Sequence, residues 1–266
     1  LPILSLIYIF MNYRDFFGCK YPLICMPMNG VSDMAFAIDL CNAGVFPSLS
    51  SQMFFRSRET NSVEERIIRD FDKFTTRFGH CRLLFSMTDQ FLAQNYDLIF
   101  RLVEDYKLSH IELVRMQEED SYKNIQRISS SQYSELKNSG LKILYKDLSF
   151  TPQSEIDLNV FDGIVLKGKG GAGKINPTIK PLRELVSISR KKYPDAIIVP
   201  SGGVGSSDEV RILMGLGATA IGIGTLFAVS KESKISLETK IKMLAYDKQQ
   251  LDSLQADRLP QNAIVF

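Results

Sequence analysis

The feature that most constrains this chain is a rhythm. Short apolar runs recur from Tyr21 onward, each followed by a longer amphipathic stretch. The runs are Pro22 to Met26, Val45 to Ser48, Arg82 to Met87, His110 to Arg115, Lys142 to Lys146, Gly163 to Leu166, Ala196 to Val199 and Ala220 to Ile223. They are short and rich in Ile, Val and Leu, the pattern of strands buried on both faces of a parallel sheet. Helix punctuation fills the intervals. Ser32 or Asp33 caps a helix that runs through Ala43 and stops at Gly44; a charged helix runs from Val63 to Phe78 and ends at Gly79. Further helices are expected from about Gln90 to Tyr106, as a polar pair between Asp120 and Ser139 stopped by Gly140, and as a short turn between Gln153 and Asn159. Asn176-Pro177 reads as N-cap and first residue of a helix reaching Lys192. Ser206 and Glu209 read as a capping box for a helix ending near Gly217, and a last helix starts near Ser233. Alternating strand and helix implies α/β with a parallel sheet, and eight units imply closure into a single (β/α)8 TIM barrel. The rival is an open doubly wound sheet; the two late glycine-bearing strand ends favour the barrel.

Length and composition agree with one domain. The chain has 266 residues, 45% hydrophobic and 23% charged, and a formal net charge of +2. That excess gives no basis for expecting a nucleic acid or an anionic membrane as partner. A small-molecule substrate is the expected partner; oligomerisation cannot be read from the sequence. The four cysteines, Cys19, Cys25, Cys41 and Cys81, form no CxxC pair, which fits a reducing, cytoplasmic setting better than a disulfide framework. The opening LPILSLIYIF is too short an apolar run to span a bilayer and has no basic flank. Met11 is a candidate start. Residues 1–14 are therefore set apart as an N-terminal extension, and 15–266 are assigned to the barrel.

Two strand ends carry the chemistry. The seventh is followed by Pro200-Ser201-Gly202-Gly203-Val204, and the eighth contains Ile221-Gly222-Ile223-Gly224-Thr225. In a barrel these ends are neighbours, and the loops there commonly hold a phosphate on backbone N–H groups. Glycine lets the backbone approach the anion, and Thr225 adds a hydroxyl. The plainer alternative is that these glycines serve only turns and bends.

At this point the residues resemble a known family. Lys20-Tyr21-Pro22-Leu23-Ile24 through Met26-Pro27-Met28-Asn29-Gly30-Val31-Ser32 is similar to the opening of the nitronate monooxygenases, once called 2-nitropropane dioxygenases. Asn42-Ala43-Gly44, Phe161-Asp162-Gly163-Ile164-Val165-Leu166-Lys167-Gly168, Pro200 to Val204, Gly217-Ala218 and Ile223-Gly224-Thr225-Leu226-Phe227 resemble its later units. The likeness covers about Asp15 to Ser233. It implies an FMN-binding barrel in which Met26, Pro27 and Met28 lie beside the flavin ring. Gly202, Gly203, Gly224 and Thr225 would hold the phosphate, and Gly171 and Gly173 would edge the pocket. The alternative for the two methionines is core filling.

The chain departs from the family at its base. A histidine ends the family's glycine loop after the sixth strand; Lys174 stands here, and Lys167 stands where the family has a polar amide. Lys174 and Lys167 are the candidate catalytic residues, since a buried lysine can exchange a proton near neutral pH. Lys146, at the end of the fifth strand, is placed to neutralise the cofactor. His80 and His110 fall at strand N-termini, the stability face of a barrel. Asp33 and Asp89 read as helix caps, and Asp147 sits just past a strand end. No metal-binding pattern occurs, and Ser201 lacks the G-x-S-x-G setting of a nucleophile.

The expected function is thus an FMN-dependent oxidoreductase that oxidises a nitronate or similar carbanion with oxygen as acceptor. Three alternatives stay open. One is an NAD(P)H-dependent flavin reductase of the enoyl-thioester type. The second is a lyase or synthase that uses Lys146, Lys167 or Lys174 on a sugar phosphate. The third is a non-catalytic FMN or phosphate binder.

Overall fold

In the computed structural model, which describes residues 13–55, 60–115, 127–147, 156–168 and 180–245, eight parallel strands alternate with helices. The strands are β1 (Leu23–Cys25), β2 (Ser48–Ser50), β3 (Leu84–Thr88), β4 (His110–Arg115), β5 (Lys142–Asp147), β6 (Gly163–Lys167), β7 (Ile197–Ser201) and β8 (Ile221–Ile223). Helical residues 13–17, here α1, precede them. The other helices are α2 (Met34–Asn42), α3 (Ser51–Phe55), α4 (Val63–Phe78), α5 (Asp89–Gln94), α6 (Tyr96–Tyr106), α7 (Ser130–Asn138), α8 (Leu182–Lys192), α9 (Ser207–Gly215), α10 (Thr225–Ala228) and α11 (Leu237–Ala245).

The strands pair in the order β1-β8-β7-β6-β5-β4-β3-β2. A parallel bridge between Ile24 and Phe46 joins the two ends of this row, with Cys25 N–H donating to Phe46 O and Phe46 N–H to Leu23 O. Followed once round from Ile24, the register returns to β1 eight residues from its starting point. That is the shear of an eight-stranded α/β barrel. The expected TIM barrel is the observed fold.

The strands are apolar on both faces because each face is buried. Ile24, Phe46, Leu84, Leu144, Val165, Val199 and Ala220 point inward and pack on one another. Leu49, Phe85, Ile111, Ile143, Ile164 and Ile198 point outward, against Ile67, Phe71, Leu102, Leu136, Leu185 and Leu213 of the surrounding helices. The N-terminal end of the barrel is closed by α1. Phe17 is buried there against Phe46, their ring centroids 5.0 Å apart. Tyr13 is also fully buried. The packed fold thus reaches into the segment 1–14 that the sequence reading set apart.

The elements differ from expectation where side chains compete with the backbone. β2 begins at Ser48, three residues later than expected, because Pro47 has no N–H to donate and leaves Phe46 as a lone bridge. The helix expected from Gln90 to Tyr106 is two helices. Asn95 breaks it by donating its side-chain amide to Phe91 O at 2.9 Å. α8 starts at Leu182, with Pro181 as its N-cap; the expected start at Asn176-Pro177 lies outside the described residues. Ser206 accepts from Glu209 N–H, which is one half of the expected capping box. The last helix starts at Leu237, because Ser233 is spent in a turn, donating to Ala228 O at 2.5 Å. Among the described residues no helix is long and apolar enough to cross a membrane.

Candidate active site

Because all eight strands are parallel, their C-terminal ends gather at one mouth. β4 brings a carboxylate there. In His110–Arg115 the side chains alternate: Ile111 and Leu113 face the helices, while His110 and Glu112 face the barrel axis. Glu112 has no solvent exposure. A carboxylate so buried needs partners. Ser86 of β3, its register neighbour, donates its hydroxyl to Glu112 Oε2 at 2.5 Å. Lys146 of β5 brings Nζ to 3.1 Å from Glu112 Oε1.

Lys167, the last residue of β6, is 7% exposed. Its ammonium group is lowered to about 8, first by burial and then by the charge of Lys146, with Glu112 opposing them. A lysine in this state exchanges a proton within the working range of an enzyme. Lys146, Lys167 and Glu112 therefore share one electrostatic environment. Among the described residues, no group of His, Cys, Asp or Glu has the arrangement of a metal site.

The glycine-rich side lies opposite in sequence but adjacent in space. Ser201 of β7 pairs with Gly222 of β8, so the two strand ends leave the barrel side by side. Gly202 and Gly203 follow with φ of 95° and 79°, a left-handed conformation that side-chain-bearing residues rarely adopt. A Cβ at Gly222 would meet Met26 Sδ at 2.6 Å and Ser201 Cβ at 2.7 Å. Glycine there lets Met26 of the β1 end lie across β8. Gly224 lies next to Met28 in the same way, at ordinary contact distance. Gly224 also caps α10, its carbonyl accepting from Phe227 and Ala228 N–H. The N–H groups of Thr225 and Leu226 precede the first of these bonds and lead the turn. Gly168 N–H donates to Ser201 O at 2.8 Å, while Ser201 Oγ donates to Leu166 O at 3.2 Å. The Ser201 hydroxyl is thus tied to the backbone.

The structure brings Met26, Pro27, Met28, Lys146, Lys167, Gly202, Gly203, Gly224 and Thr225 to this one end of the barrel. Met26 is buried, Pro27 and Met28 are half-buried, and Gly203 and Thr225 are exposed. Gly171, Gly173 and Lys174 lie outside the described residues. Sequence reasoning missed Glu112. Its signal was available: a lone carboxylate inside the apolar run His110–Arg115, on the inward register of a buried strand. Asp33 caps α2 as expected, accepting from Phe36 N–H. Asp89 does not cap α5; Thr88 does, and Asp89 is the first helical residue, with Tyr133 Oη 3.4 Å from its carboxylate.

His110 sits at the opposite end of β4, stacked on Phe17 and flanked by Phe16 and Phe46, and burial drives its imidazole down to about 3. It is held neutral, away from the mouth.

No protein-family profile matches the chain, and no curated protein sequence matches it. Solved structures do match. FabK from Thermotoga maritima superposes with a TM-score of 0.63 at 14% identity, covering 88% of this chain and 68% of its own. A nitroalkane oxidase from Streptomyces ansochromogenes gives 0.63 at 15% identity, covering 86% and 71%. A mandelate oxidase variant solved with a monooxide FMN adduct gives 0.52 at 15% identity, covering 94% and 86%. At these identities the likeness shows the barrel fold.

Proposed function

We propose that this barrel is an FMN-dependent oxidoreductase acting on a nitronate or similar carbanion, with oxygen as electron acceptor. The observation that carries the reading is the junction of β7 and β8. Consecutive left-handed glycines, Gly202 and Gly203, leave the barrel beside Gly224 and the leading amides of α10. This is a backbone cradle of the kind that binds phosphate in α/β barrels. Next to it, Met26 and Met28 form an apolar shelf over β8. The residues present thus fit a flat ring system carrying a phosphate. Bound FMN would supply two-electron exchange; the protein supplies binding, orientation and electrostatics.

The roles of the side chains follow from their positions. The amides of the two glycine segments hold the phosphate, and the Thr225 hydroxyl supports them. The two methionines support the ring. Lys146 and Lys167 lie inside the mouth, where a protonated lysine would stabilise a carbanionic substrate. Lys174, in the position of the family's histidine, is a second candidate for proton exchange. The nitroalkane oxidase and the mandelate oxidase with its FMN adduct support the reading as structural neighbours.

The test is direct. The purified full chain should carry or take up FMN with a bound-flavin absorption spectrum. Under anaerobic conditions a nitronate should bleach that spectrum, and admitted oxygen should restore it. Bleaching by NAD(P)H instead would move the chain to the flavin-reductase reading. A colourless protein with no FMN affinity that traps a sugar phosphate under borohydride would establish the lyase.

A further inference from the structure

Glu112 has no place in the reading above, yet it is the most completely buried carboxylate among the described residues. A charged group at 0% exposure in the interior of a barrel strand is expensive unless partners offset its desolvation. Its partners come from two neighbouring strands: the Ser86 hydroxyl at 2.5 Å and the Lys146 ammonium at 3.1 Å. Neither packing nor strand formation needs this arrangement, since Leu144 and Val165 fill the adjoining inward positions with hydrocarbon. It keeps a negative charge at a fixed point between the axis and the mouth, on the side where Lys167 ends β6.

We propose that Glu112, Lys146 and Lys167 form one proton-exchanging unit, with Glu112 the positioning residue and Lys167 the group that exchanges a proton with a weakly acidic small molecule in the barrel mouth. This rests on the proposed oxidoreductase site and extends its substrate from the preformed carbanion to the neutral carbon acid that yields it by losing a proton. In the step, neutral Nζ of Lys167 takes a proton from the substrate. An N–H bond forms, the substrate's C–H bond breaks, and the electron pair stays on the substrate as an anion facing the new ammonium group. Lys146, held by its ion pair with Glu112, adds a second cationic group near that anion.

Among the described residues, Lys146 from β5 and Glu112 from β4 act on Lys167 by charge, the first opposing its protonation and the second favouring it. β7 presents the Ser201 hydroxyl and β8 presents Gly222, both uncharged. The two charged neighbours therefore pull Lys167 in opposite directions.

The experiment titrates Lys167 in the full chain through 13C-methyl groups placed on its lysines, read by NMR, with Lys167→Arg used to assign the signal. Glu112→Gln should lower the midpoint of Lys167 by about one pH unit, the scale of a lost opposite charge nearby. Lys146→Met should raise it. Unchanged midpoints, or shifts of the same sign in both variants, would overturn the proposal. If Glu112→Gln does not fold, Lys146→Met decides alone: a raised midpoint supports the unit and an unchanged one refutes it. The readout needs no flavin. Opposite shifts in a chain with no FMN affinity would therefore sink the flavin reading and leave the unit standing.

Discussion

The two ends of β4 solve the same problem in opposite ways. His110 and Glu112 are two residues apart, both point into the barrel, and both are buried, at 3% and 0% exposure. At the closed end, aromatic rings of Phe16, Phe17 and Phe46 surround the imidazole and remove its charge. At the open end, Ser86 and Lys146 surround a carboxylate with a donor and a cation. Burial alone does not decide whether a group stays charged; what surrounds it does. The closed end is built for packing and the open end for holding charge. Substitutions at the two ends should therefore separate stability from function.

The largest separation is expected at Lys167. Replacement by Met should cut turnover by roughly a hundredfold or more, the scale of a lost proton-transfer group. The same change should raise Tm at pH 7. The folded chain protonates Lys167 near 8, against 10.5 for the free side chain, so the buried ammonium costs stability below 8. That cost fades as pH rises from 8 toward 10.5, and the Tm advantage of the variant should fade with it. A loss of both turnover and Tm would merge the two ends and break the comparison.

Next in size is Phe17→Ala at the closed end. Deleting a fully buried ring of this kind costs about 3 kcal/mol or more. Chemical denaturation should show that loss, while FMN affinity of the folded fraction stays unchanged. Smaller again is Lys174→Ala, expected to leave FMN bound and lower turnover in steady-state assays. Unchanged turnover would leave Lys167 as the sole candidate base.

The last effect is a pH dependence from His110. Held neutral, it binds a proton only near pH 3, whereas the exposed imidazole of the unfolded chain does so near 6.5. The unfolded chain takes up more protons between these values, so this contribution to stability is full above about 6.5 and drains as pH falls toward 3. Tm of His110→Phe should fall less than that of the wild type between pH 7 and pH 4. Equal falls would show that the closed end does not hold the imidazole neutral.

The barrel was legible in the sequence because buried parallel strands write themselves as continuous apolar runs. The run Gly163 to Leu166 and the outward and inward faces of β6 are one and the same signal. Boundaries were less legible where one side chain redirected the backbone, as at Pro47 and Asn95. The glycines of β7 and β8 stood out because residue type alone reports the conformation they permit. The partners of Glu112 were hidden for the opposite reason. Nothing in HIELVR says which neighbour will pair with its carboxylate. Ser86 and Lys146 are 26 and 34 residues away in the chain, and only the register of β3, β4 and β5 brings them together.

The central claim is that the mouth of the barrel grips a phosphate-bearing flavin between the ends of β7 and β8. Isothermal titration of FMN into the wild type, Gly203→Val and Gly205→Ala tests it most directly. Gly205 is the control: a Cβ there meets nothing within 4 Å. The account predicts that wild type and Gly205→Ala bind FMN equally and that folded Gly203→Val binds at least a hundredfold more weakly. Equal FMN affinity in all three, or none in the wild type, would contradict it.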